Sequence, residues 1–265
     1  MVEFENLNFS YNKNQIFNDF SCHIKEGSTV TMLLRSRSGK TTLFNLLNGT
    51  IRNKQAVIMD NLLITPETVH DIRLDTVFIP TVISEYFIFD NIYDELKLRP
   101  LQLGKPLNKV TKGIKETLKS LDLEYCLTKN PFELTTNEQY LLVLASILII
   151  KPKYIVLDDS LALCDSSTKE IFIKHLKEQN STTIIHLTSK VEEILWTKRC
   201  IVINNSKVVL DGPPKEVIKE TSILRKSGFT FPFTMELSYK LSLYDMTPSI
   251  TNSYRKLVMK LATTD

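Results

Sequence analysis

The sequence predicts an α/β fold: a parallel sheet flanked by helices, with a helical subdomain set into it and a C-terminal extension. Three observations carry this expectation. Strand-like segments near both ends of the chain alternate with helix-like ones, the order that builds parallel sheets. Residues 86–150 lose strand signals and hold helical patterns instead. The stretch LLRSRSGKTTLFNLLNG, residues 33–49, reads as the end of a strand, a cationic loop and a helix.

The elements follow in order. Residues 2–9 place Val2, Phe4, Leu7 and Phe9 among polar neighbours, as a strand with one buried face does. FSCHIKEGSTVTMLL gives a strand, a turn at Glu26-Gly27 and a buried strand over 29–34. A helix from about Lys40 to Leu47 stops at Asn48-Gly49, and AVIMDNLLI reads as two short strands around Asp60-Asn61. VTKGIKETLKSL and NEQYLLVLASILII are helical, the second so apolar that it is either a core helix or a surface facing another protein. From Tyr154 the strands return as YIVLDD, TTIIHLTS, RCIVINN and KVVLDG, with the helix SSTKEIFIKHLKEQ between the first two. After Pro213-Pro214 comes a tail containing FTFPFTMELSYKLSLYDM and a final basic helix, SYRKLVMKL. The expected domains are 1–220, including the helical part at about 86–150, and an extension over 221–265.

Composition narrows the class. A chain of 265 residues, 43% hydrophobic and 24% charged, has ordinary globular proportions. A net charge of +3 gives no reason to expect a nucleic-acid partner. The longest largely apolar run, Tyr140–Ile150, is far short of the roughly 20 residues that span a membrane. The opening MVEFENLNFSYNKN lacks the apolar core of a signal peptide, so a cytosolic chain is expected. Cys22, Cys126, Cys164 and Cys200 lie far apart and are expected to be reduced.

The loop at 34–41 (Leu34, Arg35, Ser36, Arg37, Ser38, Gly39, Lys40, Thr41) ends as a phosphate loop does. Amide groups at a helix N-terminus attract phosphate, Lys40 adds a point charge, and the Thr41 hydroxyl is placed for Mg²⁺. SGKTT alone is a weak signal. It gains weight because KYIVLDD, another buried strand, runs into Asp158, 118 residues after Lys40. An aspartate at such a strand end holds Mg²⁺ in phosphate-loop enzymes, and Asp159 follows where an acid would position a water.

In this order the motifs resemble the ABC-type ATPases, and the resemblance covers nearly the whole chain. It implies a nucleotide-binding domain using ATP and Mg²⁺. Tyr11 matches the aromatic that stacks on adenine. Residues 35–42, including Ser36, Ser38 and Thr42, match the phosphate loop. Leu134-Thr135-Thr136-Asn137-Glu138 matches the signature that faces a partner's nucleotide, and ALCD (162–165) the loop that follows the Mg²⁺ strand. VEEILWTKRCIVINNSKVVLDGPPKEV and SGFTFPFTMELSYKL point to the ATPase subunits of energy-coupling factor (ECF) importers. That group implies a peripheral subunit on the cytoplasmic face of a membrane, paired with a second ATPase chain under a transmembrane scaffold and a substrate-binding membrane subunit. The cargo implied is a vitamin or micronutrient.

The departures from the family pattern are chemical. Family glycines are replaced by Leu34 and Arg37 in the phosphate loop and by Thr136 and Asn137 in the signature. The family glutamate after Asp158 is Asp159, the glutamine after VF is Ile79, and the switch histidine after LT is Ser189. Weak ATP binding and little intrinsic hydrolysis are therefore expected, with a non-catalytic scaffold or a soluble ABC-type protein acting on nucleic acid or ribosomes as alternatives. A left-handed backbone at Arg37 would cost about 1–2 kcal/mol. Arg35 and Arg37 either clamp phosphate, occlude its pocket or point to solvent. Leu141 and Ser146 stand where the family helix often carries arginine. Tyr86, Phe87, Phe89 and Tyr93 in the segment 79–100 suit either an apolar groove that docks a membrane partner or the core.

Overall fold

The computed structural model describes residues 1–265 apart from 52–56, 245, 247–249, 252 and 263–265. Ala56, at the start of the expected strand pair, and parts of the tail lie outside the described residues.

Two sheets form the body. The smaller runs β2 (Asn14–Ile24), β1 (Val2–Tyr11), β4 (Val57–Met59), β5 (Leu62–Leu63), with every adjacent pair antiparallel. Asp60 and Asn61, both left-handed at φ 55° and 62°, close the β4–β5 hairpin, the geometry of a primed turn. The larger sheet runs β10 (Lys207–Gly212), β9 (Arg199–Asn204), β3 (Thr29–Leu33), β8 (Thr183–Thr188), β7 (Tyr154–Asp158), β6 (Thr76–Ile79). From β9 to β6 all pairings are parallel, while β9–β10 is an antiparallel hairpin. The central strands read as apolar runs because both faces are covered: every residue of β7 and β8 is buried. The expected parallel sheet is thus correct for the centre but not for the edge hairpin or the smaller sheet. The four-residue β6, too short to give a periodic signal, goes unread in the sequence.

Helix α1 (Lys40–Leu47) follows β3, and α2 (Val69–Leu74) precedes β6. Between β6 and β7 lie α3 (Ile92–Gln102), α4 (Leu107–Ser120) and α5 (Thr136–Ile150), helices in the region where helical patterns replace strand signals in the sequence. Helix α5 is a core helix: Tyr140, Leu142, Val143, Leu144, Ala145 and Ile147 are fully buried. Ser146 is buried too, its hydroxyl 2.7 Å from that of Tyr86, and Leu141 is half-buried. Helix α6 (Ser166–Glu178) joins β7 to β8. The tail forms α7 (Pro214–Lys219), α8 (Thr221–Lys226), α9 (Phe233–Ser242) and α10 (Tyr254–Leu261).

Three apolar clusters hold these layers. One packs the smaller sheet on the larger through Phe4, Phe17, Phe20, Met32, Leu34 and Tyr154. The second joins α3–α6 to β6 and β7 through Ile114, Leu144, Ile155 and Phe172. The third fixes α7–α9 to β3 and β9 through Leu33, Val202, Leu224, Phe229 and Met235. Cys126 and Cys200 are buried, Cys22 and Cys164 half-buried, and all four are free thiols. No helix among the described residues is long and apolar enough to cross a membrane.

Candidate functional site

The C-terminal ends of parallel strands are where open α/β sheets place their sites, and here β3, β6, β7 and β8 end together. From β3 the backbone passes through Leu34, whose N–H donates to the Thr188 carbonyl at 2.9 Å and whose side chain is fully buried. The loop then tightens on the Arg35 carbonyl, which accepts from Ser38 N–H (3.2 Å), Ser38 Oγ (2.7 Å) and Lys40 Nζ (3.3 Å). Gly39, at φ 103°, is the N-cap of α1 and offers no side chain to its first-turn amides. A Cβ there would lie 2.7 Å from Ile16 Cγ2 and Phe17 Cζ, so only glycine fits.

Arg37 keeps the left-handed backbone at φ 63°. Its side chain is exposed, as are Arg35 and Ser36. Arg35 does not enter the loop's cradle: a Cβ on Gly228 would stand 2.8 Å from Arg35 Cδ and 3.1 Å from Nη1, so this side chain lies on the turn between α8 and α9. Arg35 is therefore not the occupant of the phosphate pocket. Lys40 is engaged instead by an acid, with Nζ 3.1 Å from Asp159 Oδ2 and its side chain 8% exposed.

Asp158 is 2% exposed. Its Oδ2 accepts from Thr41 Oγ1 at 2.8 Å and Thr81 Oγ1 at 3.2 Å, while Oδ1 is buried without a hydrogen-bond partner. Burial, helped by the adjacent Asp159 charge, pushes this carboxyl above its usual range against the two hydroxyl bonds. Asp159 is left-handed at φ 46°, and its Oδ1 accepts from Ser189 N–H at 3.1 Å. Ser189 thus contributes its backbone amide to this corner.

Behind Ser189 lies a polar cluster that sequence reading missed. Glu193, 2% exposed, accepts from Thr188 Oγ1 at 2.8 Å and Lys169 Nζ at 2.5 Å, with His186 Nε2 at 3.3 Å. Despite burial, which opposes ionisation, His186 and Lys169 hold the Glu193 carboxyl well below its usual range. The same Thr188 oxygen accepts from Lys190 N–H at 3.2 Å. This fixes the loop that carries Ser189. The acid in VEEIL and the histidine in TIIHL were available as signals, but only the tertiary contact joins them.

A family model described as ABC transporter matches residues 17–162, more than half of the chain. The chain belongs to the ABC transporter family. Over 248 residues it is 27% identical to the energy-coupling factor transporter ATP-binding protein EcfA1 of Leuconostoc mesenteroides, covering 91% of each chain. Its fold is similar to that of CbiO1 from Clostridium perfringens, described as part of the ABC transporter complex CbiONQ, with TM-score 0.71, 23% identity and coverage of 85% of this chain and 93% of that one. It is similar also to a dimeric ATP-binding cassette in a post-hydrolysis state bound to ADP and Pi, with TM-score 0.70, 21% identity and coverage of 81% and 99%.

The remaining expected site residues of this ABC-family chain are dispersed. Tyr11 ends β1, half-exposed, and meets the Phe9 ring edge-on at 4.9 Å. Thr42 is buried in the first turn of α1. The signature stretch lies at the N-terminus of α5. Thr135 is its N-cap, in a reciprocal box with Glu138: Thr135 N–H donates to Glu138 Oε2 at 2.8 Å and Thr135 Oγ1 accepts from Glu138 N–H at 3.4 Å. Thr136 is exposed beside it, and Asn137 is bonded to Asp165 of the ALCD loop. Ile79 ends β6 fully buried in the core.

Among the described residues no group of three or more His, Cys, Asp or Glu is placed to hold a metal. Two hydroxyls, one carboxylate with an unpartnered oxygen and the phosphates of a ligand are nonetheless a donor set that Mg²⁺ accepts, so the residues at Asp158 fit that cation.

A separate cleft of about 610 Å³ opens between the α1–α2 side and α3, lined by Phe44, Phe78, Tyr86, Ile88, Phe89 and Leu98 with Arg73, Glu85 and Arg99. Glu95 Oε2 holds its rim by accepting from Ile88 N–H (2.8 Å) and Phe89 N–H (2.9 Å). Of the four aromatics in the segment 79–100, Tyr86 and Phe89 line this cleft. Phe87 is buried, and the hydroxyl of Tyr93 pairs with that of Thr111 at 2.8 Å.

Proposed function

We propose that this chain is the ATP-binding subunit of an energy-coupling-factor-type importer, working as one half of a pair with a second ATPase chain. The observation that carries the reading is the convergence of Lys40, Thr41, Asp158 and Thr81 beneath the uncapped N-terminus of α1. The names of its relatives supply the importer class. Bound ATP with Mg²⁺ would supply phosphoryl groups that close the two chains against each other. The α1 amides and Lys40 attract phosphate, Thr41 and Asp158 hold the cation, and Asp159 orients water. Tyr11 stacks on the base; Arg37, Ser36 and Ser38 frame the phosphate loop. Thr135, Thr136 and Asn137 would present hydroxyl and amide groups to the partner's nucleotide, with Glu138 holding the Thr135 cap in place.

The apolar cleft at Tyr86, Ile88 and Phe89 suits a helix of a transmembrane scaffold, which would place the chain at the cytoplasmic face of a membrane. Importing a vitamin or micronutrient then follows from the substrate-binding membrane subunit. The Lys40–Asp159 pair favours a second reading, a scaffold that binds nucleotide weakly and does not turn it over.

Calorimetry with ATP and Mg²⁺, and turnover of the chain with and without the partner ATPase, test the proposal. Binding lost on Lys40→Ala supports it. Binding of the parent chain without partner-dependent turnover leaves the scaffold reading. Failure of the parent to bind nucleotide under any of these conditions removes both.

A further inference from the structure

We infer that Thr81 is a ligand-bearing residue of the divalent-cation site, a role that no comparison assigns to it; the inference rests on the nucleotide reading above. The strand neighbouring β7 ends at Ile79, whose side chain is fully buried and offers no polar atom. Two residues on, after Pro80, the chain brings a hydroxyl back to the strand end: Thr81 Oγ1 donates to Asp158 Oδ2 at 3.2 Å. Thr41 Oγ1, from α1, donates to the same oxygen at 2.8 Å.

The chemistry of that pairing is directional. A hydroxyl that gives its proton to a carboxylate turns its lone pairs away from it. Two such hydroxyls on one carboxylate oxygen present two acceptor oxygens, and the other carboxylate oxygen is buried without a partner. Buried polar atoms are nearly always bonded, so an orphan of this kind calls for an occupant. Mg²⁺ takes oxygen ligands and retains several waters, one carboxylate and two hydroxyls being within its habits. Thr81 itself is exposed. The loop position therefore borders solvent while its hydroxyl reaches the buried Asp158 carboxylate, so a cation bound with nucleotide could approach this oxygen from outside.

The test uses the full chain and Mn²⁺ as the probe. Free Mn²⁺ is counted by electron paramagnetic resonance in the presence of saturating AMPPNP, and AMPPNP affinity is measured separately in EDTA. Thr81→Val, nearly isosteric, is expected to weaken Mn²⁺ binding about tenfold or more, as loss of a supporting metal-site group does. Metal-free AMPPNP affinity should stay unchanged, and Thr81→Ser should restore Mn²⁺ binding to within about threefold of the parent. Mn²⁺ binding by Thr81→Val equal to the parent's overturns the inference. So does a parallel fall in metal-free AMPPNP affinity, which marks a structural role. A parent chain that binds AMPPNP with no Mn²⁺ beside it overturns the inference and leaves the nucleotide reading standing. A parent that binds no AMPPNP overturns both.

Discussion

Asn137 and Asp165 hold each other through two hydrogen bonds: Asn137 Nδ2 donates to Asp165 Oδ2 at 2.5 Å, and Asp165 N–H donates to Asn137 Oδ1 at 3.2 Å. Asp165 Oδ1 meanwhile accepts from Thr168 N–H at 2.7 Å and caps α6. One aspartate thus ties the start of α5 to the start of α6. Replacing Asp165 with Ala should lower the urea midpoint more than Asn137→Ala does, because it removes a cap as well as the tie. The double variant should be less destabilised than the two singles added together. Strict additivity would show that the tie carries no energy.

The Lys40–Asp159 pair predicts opposed effects of one substitution. Asp159→Ala leaves a buried ammonium with only the Arg35 carbonyl as hydrogen-bond partner, lowering stability by about 2–3 kcal/mol. It also releases Lys40 for phosphate, so nucleotide affinity should rise severalfold. Thermal denaturation with and without ATP reads both effects. A variant less stable and no better at binding would mean that the pair does not compete with phosphate.

Two positions in the same loop should respond oppositely to glycine chemistry. Gly39→Ala forces a Cβ against Ile16 and Phe17 at a left-handed backbone, and should cost about 2–4 kcal/mol by chemical denaturation. Arg37→Gly relieves a left-handed side chain at an exposed position, and should be neutral or stabilising by up to about 1 kcal/mol.

Ile88 is 79% exposed at the apolar cleft. Ile88→Asp should leave stability within about 0.5 kcal/mol of the parent. It should abolish co-purification with a transmembrane scaffold. Retention of the complex would place the docking surface elsewhere.

Glu138 gives a pH dependence. The Thr135 hydroxyl, then the Tyr125 hydroxyl and the Thr135 N–H, hold its carboxyl below the usual range, and the same bond pushes Tyr125 up to about 12. A carboxyl lowered by folding adds stability that is present above its unfolded pKa and lost as pH falls through its folded one. Glu138→Gln should therefore lower the melting temperature at pH 7, and the gap to the parent should close below about pH 4.

What could be read from the sequence was local or periodic. Lys40–Leu47 was readable as a helix because its loop, first turn and Asn-Gly stop are contiguous. Asp158 stood out because a fully buried strand must end somewhere, and a carboxylate there is conspicuous. The direction of Arg35 was not readable: its neighbour Gly228 is far along the chain, and nothing in RSRS encodes that contact. Thr81 was hidden for a related reason, since β6 is only four residues long and its hydroxyl matters only once β6 and β7 are side by side. Segment 79–100 was ambiguous because adjacent aromatics diverge, Phe87 into the core and Phe89 into the cleft. The engagement of Lys40 by Asp159 was likewise a matter of side-chain geometry that the residue types alone left open.

Leu34 gives the loop a packing role beside its place in the phosphate-loop pattern. Its side chain belongs to the cluster between the two sheets, so the position serves as a rivet and not as a hinge. Reinstating glycine there would not repair a phosphate loop. It would punch a hole in the interior of a kind that costs about 3–5 kcal/mol. Any route back to a conventional loop must first refill that space from elsewhere, which makes the present architecture hard to reverse one residue at a time.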